Sequence, residues 1–416
     1  MNRKFVRTVV LLFLGVLLAA VPALGGCGGD GEEGKTEIVY GFLWDLTGRA
    51  ALGVVQMYNG LQDYLTVMEE EDPIPGVTIK VATYDTKSDA SRVPGGYVWL
   101  KGKGAVMMSA APMDTELLAS DAAEDQIPFL QGSNQLSTIN TDWIYSLYGC
   151  PESQIEVEMQ WIMDTWDAYP TRPKIGFVGL AGVPFYEAQR MQVENTISEN
   201  PDKFEYVGAQ MAPTTTTTWG VEAMKLESCD YIFAGMSGPP LAGFVRDARA
   251  RGYDRELIGP SESFWAFWEL VKNASRAEDL DGVISASFYP LWDEDVPFIE
   301  EVKSYFDEFL SPSDIESELL GTGRITGWGT GMILYDTVRR AVEAVGAENV
   351  DGPAMRDALI ATDMDSGGWG NQWKLIEGVN AFARNVRLFE YDGTEDEWLP
   401  VIDEWMTPPS LAGSGG

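Results

Sequence analysis

The sequence predicts an α/β protein with two blocks of parallel sheet, and three observations lead there. Short apolar runs alternate with helical patterns from Glu37 to Leu130. The alternation restarts after Cys150 and runs to Gly259. A final third, from about 281 to 400, mixes the two signals. Such alternation feeds parallel sheets flanked by helices, and the loops at the carboxyl ends of the strands then form a crevice.

In the first block, Glu37–Leu43 is an apolar run that reads as a buried strand. The loop DLTGRAALG follows, then a helix from Val55 to about Met68 with apolar residues at helical spacing. Gly76–Asp85 is a strand, Ser91–Lys101 a helix, Gly104–Met108 a strand, Leu117–Asp125 a helix and Ile127–Leu130 a strand. In the second block, helices are expected at Glu156–Ala168, Tyr186–Asn200, Val221–Leu226 and Pro240–Arg251. They separate strands at Lys174–Gly179, Phe204–Gln210, Asp230–Ala234 and Glu256–Gly259. The final third offers strands at Val283–Phe288 and Asn385–Tyr391 and helices at Pro297–Leu310 and Gly331–Val345. The closing SLAGSGG reads as a frayed tail.

A chain of 416 residues suffices for two domains. Its 29 basic and 64 acidic residues give a formal charge of -35, which argues against a nucleic-acid partner, because phosphate binding needs a basic surface. There is no histidine, so His-based triads, His zinc ligands and an imidazole switch are excluded. No G-x-S-x-G or Gly-rich phosphate loop is present, and no cofactor or metal is expected. Three cysteines occur, Cys27, Cys150 and Cys229. With Cys27 consumed by lipid, the other two either form a bridge or stay as buried thiols.

The N-terminus carries Arg3, Lys4 and Arg7, then an uncharged run from Val9 to Leu24 that ends LGGC at Cys27. Basic and apolar regions in this order form a secretory signal. The Leu24–Cys27 stretch resembles the lipobox of bacterial lipoproteins, which implies cleavage after residue 26 and lipidation of Cys27. A retained transmembrane anchor is the alternative, though the apolar run is short for a span. Residues 27–35, rich in Gly and acids, form a flexible tether.

The order of motifs across the body resembles the type I periplasmic binding proteins, in particular the branched-chain amino-acid receptors of ABC importers. The segments that carry the likeness are IVYGFLWDLTGRAALGVVQMYNGLQDYL, KVATYDTKSDASRVPGGYVWL, ASDAAEDQIPFL and DYIFAGMSGPPLAGFVRDARARGYDRELIGP. The resemblance implies two Rossmann-like lobes in a flytrap arrangement, joined by a three-crossover hinge. Lobe 1 would be 36–150 plus 289–383, lobe 2 would be 151–288 plus 384–405, and 406–416 a disordered tail.

The same resemblance places ligand contacts on strand-end loops. Relatives often carry paired serines in the loop that is Ser109–Thr115 here, but this chain has Pro112 and Met113, with Asp114 beside them. That departure weakens a carboxylate grip. Met113 is either a contact or a packing residue. Gln131 and Ser133 follow the next strand, Ser133 being a contact or a helix cap. In lobe 2, Phe185 or Tyr186 offers an aromatic wall and Ser237 lies on another. Glu262 falls near the family's acidic partner for a ligand ammonium, or else on a solvated surface. Trp44 and Trp265 are candidate aromatic walls. The implied activity is non-enzymatic. It is capture of an amino acid, amide or small carboxylate outside the membrane and delivery to a permease pair with cytosolic ATPases. A sensor module of the same fold is the alternative.

Overall fold

The computed structural model describes residues 34–168, 170–310 and 322–413, and omits the side chains of 262, 263, 266 and 322. The expected signal peptide, Cys27 and most of the expected tether lie outside the described residues. Thr36–Gly416 forms one compact unit.

Two sheets organise that unit. The first has six strands in the spatial order Ala381–Ala383, Ile144–Tyr148, Phe129–Gln131, Ala105–Ala110, Thr36–Trp44 and Val77–Asp85. All of its pairings are parallel. The second has seven strands, ordered Glu397–Pro400, Arg387–Asp392, Ile284–Ser287, Glu256–Pro260, Tyr231–Gly235, Lys174–Leu180 and Glu205–Ala212. It is parallel except for its first two pairings, which are antiparallel. The expected α/β architecture of two lobes with parallel-dominated sheets is therefore present. The short central strands are apolar and buried on both faces, as parallel strands covered by helices must be.

The chain crosses between the sheets three times: between Tyr148 and Lys174, between Ser287 and Ala381, and between Ala383 and Arg387. The crossings touch one another. Gly149 N donates to Ala383 O at 3.1 Å. The Tyr148 ring lies 5.9 Å from Phe288 and 5.5 Å from Tyr289. A Cβ on Gly149 would sit 2.4 Å from Phe288 and 2.5 Å from Leu411, so only glycine fits there.

Several helices begin earlier than the periodicity indicates. The structure places helices at Ala51–Glu71, Pro112–Asp125, Pro151–Thr165 and Thr322–Val345. In the second and third, proline occupies the first turn, where a missing N–H costs nothing. In the fourth, glycines dilute the apolar pattern. Gly323, Gly327 and Gly331 face the Ala51–Glu71 helix, and a Cβ on Gly327 would lie 2.0 Å from Met57 O. The two backbones pack at a distance that side chains would forbid.

The stretch from 406, expected to be disordered, is docked as far as 413. Val386 and Met406 exchange backbone hydrogen bonds of 2.7 and 2.8 Å. Ser410 N donates to Glu156 at 3.0 Å, and Leu411 is fully buried. Backbone pairing at Met406, the Ser410 bonds and the buried Leu411 side chain together anchor it. Cys150 and Cys229 are both free and buried, so the bridge left open by the sequence does not form. Burial pushes the Cys229 thiol up to about 12, leaving it protonated and inert at neutral pH.

Candidate functional site

At the strand ends of the first lobe, two aspartates organise the loops. Asp85 accepts from Leu46 N at 2.9 Å, Thr47 Oγ1 at 2.5 Å and Lys87 N at 3.0 Å. Asp45 accepts from Ala50 N at 2.8 Å, from Gly48 N and from Ser88 Oγ. These bonds hold Lys87 and Ser88 in consecutive left-handed conformations, φ 56° and 55°, which non-glycine residues rarely adopt. Trp44 Nε1 donates to Ser109 Oγ at 2.7 Å, which fixes its ring over the third strand end.

Met113 and Asp114 lie in the first turn of the Pro112–Asp125 helix, Met113 exposed and Asp114 only 7% exposed. A helix start ordinarily attracts anions. Here burial, then the neighbouring Asp45, pushes the Asp114 carboxyl up to about 6. Two carboxyls at this end make it a poor seat for a ligand carboxylate.

Asp114 provides a test with a defined sign. Its folded value of about 6 lies above the usual 3.8, so the folded protein holds the proton more tightly between those values. Stability falls as pH rises through that window, and the deficit is complete above it. Asp114→Asn should stabilise the ligand-free protein by ~1–2 kcal/mol at pH 7.5 and leave it unchanged near pH 3.5. Urea denaturation at both pH values measures this, and an equal gain at both would refute it.

Gln131 ends the fourth strand of the first sheet, and Ser133 follows it toward the first crossing. Gln131 Oε1 accepts from Thr115 Oγ1 at 2.7 Å and from Ala110 N at 3.4 Å. Its Nε2 donates to Ser133 O at 3.0 Å and to Asn134 Oδ1. The amide is saturated within the protein, so its geometry is that of a loop tie. Ser133 Oγ donates to Gly149 O at 2.8 Å, tying the fourth strand end to the first crossing.

In the second lobe, Phe185 and Tyr186 occupy the first turn of the Pro184–Glu199 helix. Tyr186 Oη and Ser237 Oγ are 3.0 Å apart, which brings two of the expected contacts together. The Pro184–Glu199 helix and the Pro112–Asp125 helix of the other lobe touch. Glu262 stands on the short helix Ser261–Phe264, whose first N–H donates to the buried Gln154 at 2.8 Å. The Glu262 side chain lies outside the described residues. Trp265 follows, packed edge-on against Tyr289, Phe389 and Trp398 at 5.3–5.8 Å.

Between the lobes lies a cavity of about 430 Å³. First-lobe residues Leu52, Gln56 and Ile325 form one side of it. Trp265, Trp268 and Trp398 of the second lobe form another, and the segment 289–294 closes it beside the second crossing. Among the expected residues whose side chains are described, Trp265 lines this cavity, and Trp44, Met113, Asp114, Gln131, Ser133, Phe185, Tyr186 and Ser237 do not. Sequence reasoning missed Gln56, Tyr289 and Trp398. They come from a helix interior, a crossover and an edge strand, and share no local pattern. Among the described residues, no group of His, Cys, Asp or Glu could hold a metal ion.

A family model described as "Periplasmic binding protein" matches residues 37–396. No curated protein matches the chain. Among solved structures, a branched-chain amino acid ABC transporter protein from Thermus thermophilus with bound valine is similar, with 16% identity and a TM-score of 0.77. The match covers 91% of this chain and 98% of that one. A fatty acid ABC transporter substrate-binding protein from Thermomonospora curvata has 17% identity, covers 91% and 94%, and gives 0.74. An ABC transporter solute-binding protein from R. palustris in complex with benzoate has 17% identity, covers 89% and 96%, and gives 0.71.

Proposed function

The chain belongs to the periplasmic binding protein family, and from that premise we propose that it is the extracytoplasmic solute-binding component of an ABC importer. It captures a small amino-acid-like ligand between its lobes, closes by rotation at the three crossings, and hands the ligand to a permease pair driven by cytosolic ATPases. It carries out no chemistry of its own. The observation that carries this reading is the aromatic-walled cavity of about 430 Å³ between two lobes joined by three adjacent crossings. Its size suits a small solute, and its position lets lobe rotation open and shut it. Similar structures named for branched-chain amino acids, fatty acids and benzoate support a ligand with an apolar body.

On this reading Glu262 pairs with a ligand ammonium, and Met113, Asp114, Phe185, Tyr186 and Ser237, which do not line the cavity in this structure, meet the ligand only as the lobes close. Lipid on Cys27 holds the protein at the outer face of the membrane. No helix among the described residues is long and apolar enough to cross one. Mass spectrometry of ligand retained through native purification tests the proposal, with one small solute near stoichiometric amount expected. Protein that retains nothing, and that no solute stabilises in a thermal screen, would sink it. Cys27→Ser should move the protein to the soluble fraction with its ligand affinity intact; membrane retention of the variant would refute the lipid tether.

A further inference from the structure

After its last strand, Glu397–Pro400 in the second sheet, the chain runs back over the third crossing to the first. Trp405 is shared between the lobes. The Arg387 guanidinium of the second sheet lies 4.3 Å from the centre of its ring. Gly370 packs so close to the same ring that a Cβ there would fall 2.2 Å from it. Met406 pairs with Val386 through two backbone hydrogen bonds, and Thr407 Oγ1 donates to Asn385 Oδ1 at 2.7 Å. Both partners belong to the third crossing. Ser410 then meets the helix Pro151–Thr165 twice, its N–H donating to Glu156 at 3.0 Å and its hydroxyl lying 2.7 Å from that of Ser153. Leu411 is buried beside Gly149 in the first crossing. Gly413 ends against Ile376 and the Glu377 carbonyl, which would stand 3.0 and 3.3 Å from a Cβ at that position.

Gly370 and Ile376 lie in the segment that leads into strand Ala381–Ala383 of the first sheet. The tail therefore grips the first lobe at two points, and the second lobe and two crossings at the others. Contacts made to both bodies at once depend on the angle between them. A rotation that parts the lobes must draw Gly370 from Trp405 or Ile376 from Gly413, or else pull the tail from Glu156 and Val386. In this structure the lobes touch. The Pro112–Asp125 helix meets Pro184–Glu199, and the Ala51–Glu71 and Thr322–Val345 helices meet the turn Trp265–Phe267. A conformation is favoured by the interactions that it alone makes.

We propose that residues 405–413 form a strap across the hinge that holds the lobes in this touching arrangement, so that loosening it opens the cleft even without ligand. The strap presets part of the closure that a solute would otherwise have to drive, and a stronger strap means tighter binding of any solute the lobes enclose. This rests on the reading that the lobes rotate at the crossings, and it holds whichever solute is carried.

Distances between spin labels test it. Nitroxides at Glu116→Cys and Met191→Cys, both exposed positions, report the separation of the two touching helices by double electron–electron resonance. The full chain carries Cys27→Ser, and its other two thiols are buried. Measured after ligand removal, the parent should give a dominant short distance. Trp405→Ala and Leu411→Ala should each raise the long-distance share of the distribution at least twofold. Val338→Ala is the control, since it empties a fully buried site in the Thr322–Val345 helix. It should lower the melting temperature and leave the distance unchanged, as a tail with a merely structural role would also do. Should a strap variant fail to fold, Thr407→Val removes a single hydrogen bond from an exposed side chain and carries the same prediction at smaller amplitude. The proposal falls if the ligand-free parent is already open, if the strap variants keep the parent distance, or if Val338→Ala lengthens it as much. Solute retained through native purification would then leave solute binding standing while the strap is discarded.

Discussion

Arg324→Met should destabilise the protein by ~3–5 kcal/mol, measured as a fall in the urea midpoint. Arg324 is almost wholly buried at the start of the Thr322–Val345 helix, and its Nη2 lies 2.6 Å from Asp63 Oδ2. Asp63 also accepts from Tyr305 Oη at 2.9 Å, and the guanidinium sits 5.0 Å from the centre of the Phe306 ring. Even with these partners Asp63 titrates above its usual value: burial outweighs the pull of Arg324 and Tyr305. Taking the arginine away leaves a carboxyl with one hydroxyl for company. The loss should be largest at neutral pH and shrink as pH falls and Asp63 takes up a proton. The double variant Asp63→Leu/Arg324→Met should recover most of the stability, because two apolar side chains carry no desolvation penalty. A double variant no better than the single one would show that packing, not charge, dominates the site.

Gly327→Ala should be nearly as damaging, although it adds one methyl group. In an open helix the change would help by about 1 kcal/mol. Here the new Cβ would lie 2.0 Å from the backbone carbonyl of Met57, and the neighbouring Gly60 is equally tight against Arg324 O, at 2.3 Å. Neither obstacle is a flexible side chain, so the two helices must part. Overpacking of this kind costs ~3 kcal/mol. Gly95 offers the control, since nothing lies within 4 Å of its Cβ position. Gly95→Ala should be neutral or mildly stabilising. Equal denaturation midpoints for the two variants would refute the contact argument.

These two sites show what the sequence can and cannot disclose. The parallel strands were legible because each is a short apolar run, buried on both faces, between turn residues. Ile144–Tyr148 was not, because its IYSLY pattern abuts the crossing and the helix that follows, Pro151–Thr165, packs on the second lobe. The apolar pattern marks a helix only from Gly331, because Gly323 and Gly327 carry no side chain to extend it, whereas these glycines are the condition for its packing. Their meaning depends on a partner helix that begins some 270 residues earlier in the chain. The candidate site divides in the same way. Tyr186 and Ser237 were legible as strand-end residues, and the fold pairs them. Gln131 has the same polar character, yet Thr115 and Asn134 consume its amide, which no spacing rule reveals. The cavity itself is assembled from the segments 52–56, 265–272, 289–294, 323–325 and 389–400. No local pattern spans them.

Gly149, wedged beneath Phe288 and Leu411, has a practical consequence for anyone building a biosensor on this scaffold. In the proposed closure, the turn at Pro409–Leu411 rests on the pivot, where atoms are displaced least. A reporter fused behind Leu411 would therefore register little of the motion and would load the axle instead. Fluorophores belong instead on the Pro112–Asp125 and Pro184–Glu199 helices, one from each lobe, which touch each other. The exposed Leu117 and Met191 offer attachment points, one on each helix, and a donor–acceptor pair there would report the proposed lobe closure.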